Sequence, residues 1–127
     1  MRLNIEHDNI KDIEIIEKAF WFVCKYFKIE KEDYKVNVII EDIIDDNNGL
    51  LIDDMEERRF DVLLKKGRPL GKTIMTFIHE LVHIKQFIKN NLTNLMDCTI
   101  PYLERWWEIE AFEMTPIITK AYIDVIK

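Results

Sequence analysis

At 127 residues, with 48% hydrophobic and 11% aromatic side chains, the chain has the material for one packed core and one domain spanning residues 1–127. Eighteen Lys and Arg against 24 Asp and Glu leave a formal charge of −6, with the bases scattered among acids, which argues against nucleic acid as a partner. The opening stretch lacks the order of a secretory leader and no apolar run approaches membrane length, so a cytoplasmic protein with no membrane partner is expected.

In chain order, apolar residues at Ile10, Ile13, Ile16, Phe20, Val23 and Phe27 predict a helix from Ile10 to about Lys28, with Asp8 or Asn9 placed to cap it. "YKVNVIIE" alternates Val36, Val38 and Ile40 with polar residues and predicts a strand, followed by a turn at "DDNNG", 45–49. "GLLID" and "RRFDVLLKK" predict a hairpin around Asp53 to Glu57. A helix from Gly71 or Lys72 to Asn90 follows, then a loop over 91–100 and a further helix with Pro101 as its first residue. Thr115-Pro116 either kinks that helix or starts a last one, with Ile117, Ile118, Ala121, Tyr122, Val125 and Ile126 as the buried side. The order predicts an α+β domain with a small, mostly antiparallel three-stranded sheet. Cys24 and Cys98 are isolated and outside any CxxC, which fits a reducing compartment.

The helix over 71–90 carries "FIHELVH". At about 100° per residue, His79 and His83 stack one turn apart on one face, with Glu80 on the flank. Two imidazoles so placed can share one ion, and zinc in catalytic sites takes three protein ligands and one water whose pKa falls to about 7. Glu80 then has the position of the base that takes the water's proton. The same residues also read as a solvated stripe, because Lys72, Thr76, His79, His83, Gln86 and Asn90 line one polar face of the helix. A third histidine ligand six residues after His83 is excluded, since position 89 is Lys89 and position 86, where that pattern has glycine, is Gln86. His7 precedes the first helix, so a glutamate from the helix after the loop is the better third ligand.

"HELVHIKQ" followed 25 residues later by "WWEIEAF" resembles the gluzincin zinc metallopeptidases, in which HExxH is completed by a glutamate from a later helix. The similarity covers roughly residues 58–115 and is strongest to small stand-alone metallopeptidase-like proteins of bacteriophages, more distantly to ImmA/IrrE-type peptidases. It implies a minimal zincin-like domain with Zn2+ as cofactor and a polypeptide as substrate, acting in the host cytoplasm if phage-encoded. Two glutamates compete for the ligand position. Glu108 and Glu110 are about 200° apart around a helix, so only one can face the metal. Glu108 shares its face with Glu104, Ala111 and Phe112, and the small Ala111 permits close helix approach. The resemblance also assigns the glutamate three before the alanine, so His79, His83 and Glu108 are the expected metal ligands.

The chain departs from the pattern at Phe112, where many gluzincins place an acid that orients a ligand histidine; Glu104 is the available substitute. Tyr102 is a candidate catalytic donor to a developing oxyanion, although packing at the rim is its other role. Trp106 and Trp107 read as packing residues. In peptidases of this kind the strand before the histidine helix, here Phe60 to Lys65, forms the cleft's upper edge. The alternatives are a metal-holding interaction module without catalysis, and a helical domain without metal.

Overall fold

The computed structural model describes residues 1–42 and 47–126; the first part of the turn expected at 45–49 lies outside them. The fold is α+β, with a four-stranded mixed sheet and, among the described residues, three α-helices. Strand β1 (Arg2–Glu6) leads into α1 (Ile10–Tyr26), which returns to β2 (Lys35–Glu41). Strands β3 (Gly49–Asp54) and β4 (Arg59–Lys65) follow, then α2 (Leu70–Lys89), a 3-10 turn at Tyr102–Glu104 and α3 (Trp106–Ile126).

The sheet departs from expectation in two ways. It has a fourth strand, β1, and most of its pairings are parallel: the order is β1-β2-β4-β3, with β1 parallel to β2 and β2 parallel to β4. Only β3 and β4 form the expected antiparallel hairpin, in the register Leu51↔Val62 and Asp53↔Phe60. Strict alternation has a period of two in either orientation, so it identifies strands without orienting them. The α1 crossover supplies the long connection that a parallel β1–β2 pair requires.

Alternation does fix which side is buried. Val36 and Val38 from β2 and Phe60, Val62 and Leu64 from β4 point into one core face. Against it pack Ile16, Phe20 and Val23 of α1 and Phe77, Ile78, Leu81 and Ile84 of α2. Helix α1 starts where Asn9 accepts from the backbone amides of Lys11 and Asp12 at 3.0 and 3.2 Å, satisfying two donors that a helix start leaves unpaired. It stops at Tyr26, and Lys28 turns the chain with φ of 59°.

Pro101 does not begin α3. It precedes the 3-10 turn, and the α-helix starts only at Trp106. From there α3 runs unbroken through Pro116, so no separate last helix forms. Its contact line is Trp107, Ala111, Thr115, Ile118 and Tyr122, an i/i+4 ridge that suits helix-on-helix packing. Ile117, Val125 and Ile126, expected inside, are exposed, because the continuous helix keeps that ridge and not the face they occupy against α2 and α1. The Tyr122 hydroxyl donates to the Ile15 carbonyl at 2.7 Å and ties α3 to α1. No described helix is long and apolar enough to cross a membrane.

Candidate metal centre

Helices α2 and α3 pack along each other and bring the expected ligands together. Nε2 of His79, Nε2 of His83 and Oε1 of Glu108 lie 3.2, 3.7 and 2.5 Å apart in the pairs His79–His83, His79–Glu108 and His83–Glu108. The two imidazole rings stand nearly perpendicular, 4.8 Å between centroids. The site sits in the interior wall of a cleft: the His83 side chain is 3% exposed and that of Glu108 12%.

The proton positions follow from the neighbours. Gln86 is fully buried and its Nε2 donates to the Trp107 carbonyl at 2.8 Å and to Glu110 Oε1 at 3.0 Å. With its amide nitrogen committed to two acceptors, Gln86 presents its oxygen to His83 Nδ1 at 2.7 Å, so Nδ1 carries a proton and donates. In the neutral ring, Nε2 is then a bare lone pair aimed at Glu108. Glu108 Oε1 is buried and, despite the short contact, has no aligned hydrogen-bond donor. Several lone pairs converging in a buried space repel one another unless a cation sits among them. The conflict is relieved by a proton on His79 Nε2, by a proton shared by His83 and Glu108, or by a metal ion.

The titration tendencies express the same conflict. For His83, burial opposes protonation, but hydrogen bonds with Glu108 and Gln86 outweigh it and raise the pKa. For Glu108, burial acts to raise the pKa, yet His79, His83 and Tyr102 hold the carboxyl well below the usual range. Two imidazole nitrogens and a carboxylate oxygen are a donor set that suits zinc, and these three could hold one ion.

Glu80 is buried and lines the same cleft as the three ligand residues. Burial is the main influence on it and lifts its carboxyl above the ordinary value, against the nearby imidazoles. Tyr102 also lines the cleft, about half exposed on the 3-10 turn. Burial first, then a hydrogen bond to Glu108, pushes its hydroxyl up to about 12. In this arrangement Tyr102 serves Glu108.

Sequence reasoning left open what orients the ligands. Glu104 does not do it: it lies exposed on the 3-10 turn. The support is Gln86, read from sequence only as part of a polar stripe, backed by Glu110, the rejected ligand candidate. Glu110 also pairs with Lys85 at 3.0 Å. Glu108 and Glu110 therefore face opposite tasks on one helix, as their 200° separation requires. Phe112 packs edge-on against His79, 5.1 Å between centroids, and holds by contact the ring that an acid would have held by charge. Trp107 is buried and its indole donates to the Leu95 carbonyl, whereas Trp106 is about half exposed. His7 pairs with Asp12 at 3.2 Å and takes no part.

The cleft has a volume of about 910 Å³. Its rim on the sheet side is β3, from Asn48 to Ile52, and not the β4 segment Phe60–Lys65. β4 is internal to the sheet, whereas β3 is one of its two edge strands, β1 being the other, and the one that lines the cleft. Gly49 lets that edge reach α2: a Cβ there would stand 2.6 Å from Thr76 Cγ2. Comparison of the chain with protein-family models, with curated proteins and with solved structures finds no match.

Proposed function

We propose that the protein is a small zincin-like, zinc-dependent metallopeptidase that hydrolyses peptide bonds in an extended polypeptide. The observation that carries this reading is the convergence of His79 Nε2, His83 Nε2 and Glu108 Oε1 in a cleft that also holds a buried acid, Glu80. His79, His83 and Glu108 would hold the ion. Zinc bound there supplies positive charge that acidifies a water and polarises the substrate carbonyl.

The remaining work falls to the chain's own side chains. Glu80, whose proton affinity burial has raised, takes a proton from the attacking water as its oxygen bonds to the carbonyl carbon. It returns that proton to the amine nitrogen as the C–N bond breaks, so the products are one carboxylic acid and one amine. Gln86 holds His83 in the tautomer that leaves Nε2 free for a metal. Tyr102, on the cleft wall beside Glu108, is the candidate hydroxyl donor to the substrate oxygen. The free edge of β3 offers backbone groups to which an extended peptide can pair.

Elemental analysis of the purified protein with His83→Ala, Glu108→Ala and Glu110→Ala tests the site. About one zinc per chain is expected, lost in the first two variants and kept in the third. Glu80→Gln should keep the metal and lose hydrolysis of an unfolded protein substrate. Hydrolysis that survives in Glu80→Gln would overturn the assignment of the base, and metal-free wild type after zinc loading would overturn the reading.

A further inference from the structure

The chain as a whole carries −6, yet the cleft does not share that sign. Among the described residues, Arg68, Lys72 and Arg105 line it, and the acids that do so are Glu80 and Glu108. With those two charges matched by a divalent ion, the described lining keeps an excess of cations inside an acidic protein, with Arg105 also facing the nearby Asp97. Such a local reversal focuses the field on an entering ligand.

The cations are not explained by internal pairing. Arg2, Arg59 and Lys85, elsewhere on the surface, each pair with carboxylates of the chain. Arg68 gives one hydrogen bond, to Thr76 Oγ1 at 2.8 Å, and leaves most of its five donors unused. Lys72 is exposed, and neither it nor Arg68 forms an ion pair among the described residues. Arg105 is anchored by the Ile100 carbonyl at 3.0 Å and by the Tyr102 ring, 5.4 Å from its centroid, so its position on the cleft wall is fixed.

Lys72 lies on the stripe that continues through Thr76 to His79 and His83, and all four line the cleft. Seven residues separate Lys72 from His79, a rise of about 10 Å along the helix, which an extended peptide spans in about three residues. On the proposal that the site is a peptidase, we infer that the cleft selects acidic polypeptides, with Arg68 and Lys72 receiving carboxylates about three residues from the scissile bond.

The test uses zinc-treated Glu80→Gln protein, so that binding is read without turnover, and two labelled, end-capped decapeptides of Ala and Leu. One carries Glu three residues to each side of the central bond and the other carries Gln there. Fluorescence anisotropy should show the Glu peptide binding up to about five-fold tighter, since Arg68 and Lys72 lie on the same side of His79, one Glu reaches them at a time, and a partly exposed ion pair contributes at most about 1 kcal/mol. That preference should shrink as salt is raised. Adding Arg68→Gln and Lys72→Gln should bring the two affinities together while the bound zinc, measured on the same samples, is unchanged. With zinc bound, equal affinity for the two peptides, no binding of either, or a preference that survives in the double variant would overturn this inference and leave the peptidase reading standing. Absence of zinc would overturn both.

Discussion

Replacing Gln86 by Met, which is unbranched and similar in size, removes every polar contact of this residue without opening a large hole. Three hydrogen bonds are lost: from His83 Nδ1 at 2.7 Å, to the Trp107 carbonyl at 2.8 Å and to Glu110 at 3.0 Å. The His83 N–H is left buried without a partner, and the Trp107 carbonyl keeps only its bond within α3. At about 1 kcal/mol per bond, the metal-free protein should lose about 3 kcal/mol, a large part of a typical domain's stability. For a chain of this length that is a fall of roughly 10 °C in Tm. Zinc affinity should fall as well, by about 10- to 100-fold, because His83 is no longer held in the tautomer that presents Nε2. Urea unfolding of the chelator-treated protein measures the first effect, and competition against a chromophoric zinc chelator measures the second. A Gln86→Met protein that loses stability but binds zinc like the wild type would refute the argument that Gln86 sets the ligand's proton position.

Three further outcomes follow from other parts of the structure. Gly49→Ala should destabilise by about 1–3 kcal/mol through overpacking against Thr76, and Thr76→Ser, which deletes the clashing methyl and keeps the hydroxyl that Arg68 uses, should recover part of the loss in a double-mutant cycle. Cys24 is buried and burial pushes its thiol up to about 12 from an ordinary 9.0. The unfolded chain therefore releases that proton first as pH rises: stability is intact below pH 9 and declines above it, by about 3 kcal/mol between pH 8 and 11. Urea midpoints across that range should fall in the wild type and stay flatter in Cys24→Ala, whose difference isolates the thiol from the tyrosines. A thiol reagent should titrate one cysteine per native chain, the exposed Cys98, and the second only after denaturation.

The helices were legible because their signals are local. Asn9 before an apolar period of 3.6, and the HExxH stripe on α2, act within a few turns and do not depend on what lies opposite. That Glu108 and Glu110 face different ways was legible too, since 200° of helix separates them whatever the tertiary structure; the preference for Glu108 rested on Ala111 beside it and on the resemblance. The first strand was not. Arg2–Glu6 offers only Leu3 and Ile5 as apolar positions, and its partner β2 lies some thirty residues on, beyond α1. Strand orientation was hidden for a related reason: β4 inserts between β2 and β3, a choice made by the whole sheet. The roles of Gln86 and Glu110 were masked by chemistry, because a polar stripe reads the same whether water or a neighbouring helix satisfies it. Only the approach of α3 decides. Pro116 left a kink or a new helix open; the helix continues, because a helix with a neighbour packed along it tolerates the missing amide, and Thr115 adds its own bond to the Ala111 carbonyl at 2.6 Å.

The free edge of β3 has a cost that concerns the population of molecules more than any one of them. Sheet edges in monomeric proteins are commonly blunted with charge, proline or a covering loop, because an open edge is a template for a strand from another copy. Here the portion along the cleft carries Leu50, Leu51 and an exposed Ile52, and the acids Asp53 and Asp54 come only at its far end. An edge that can accept an extended peptide can equally accept a strand of its own kind. The excess of acidic residues over the rest of the surface then acts as mutual repulsion that keeps copies apart, and crowded or high-salt conditions that screen it are those in which strand-to-strand association would set the limit on how concentrated the protein can become.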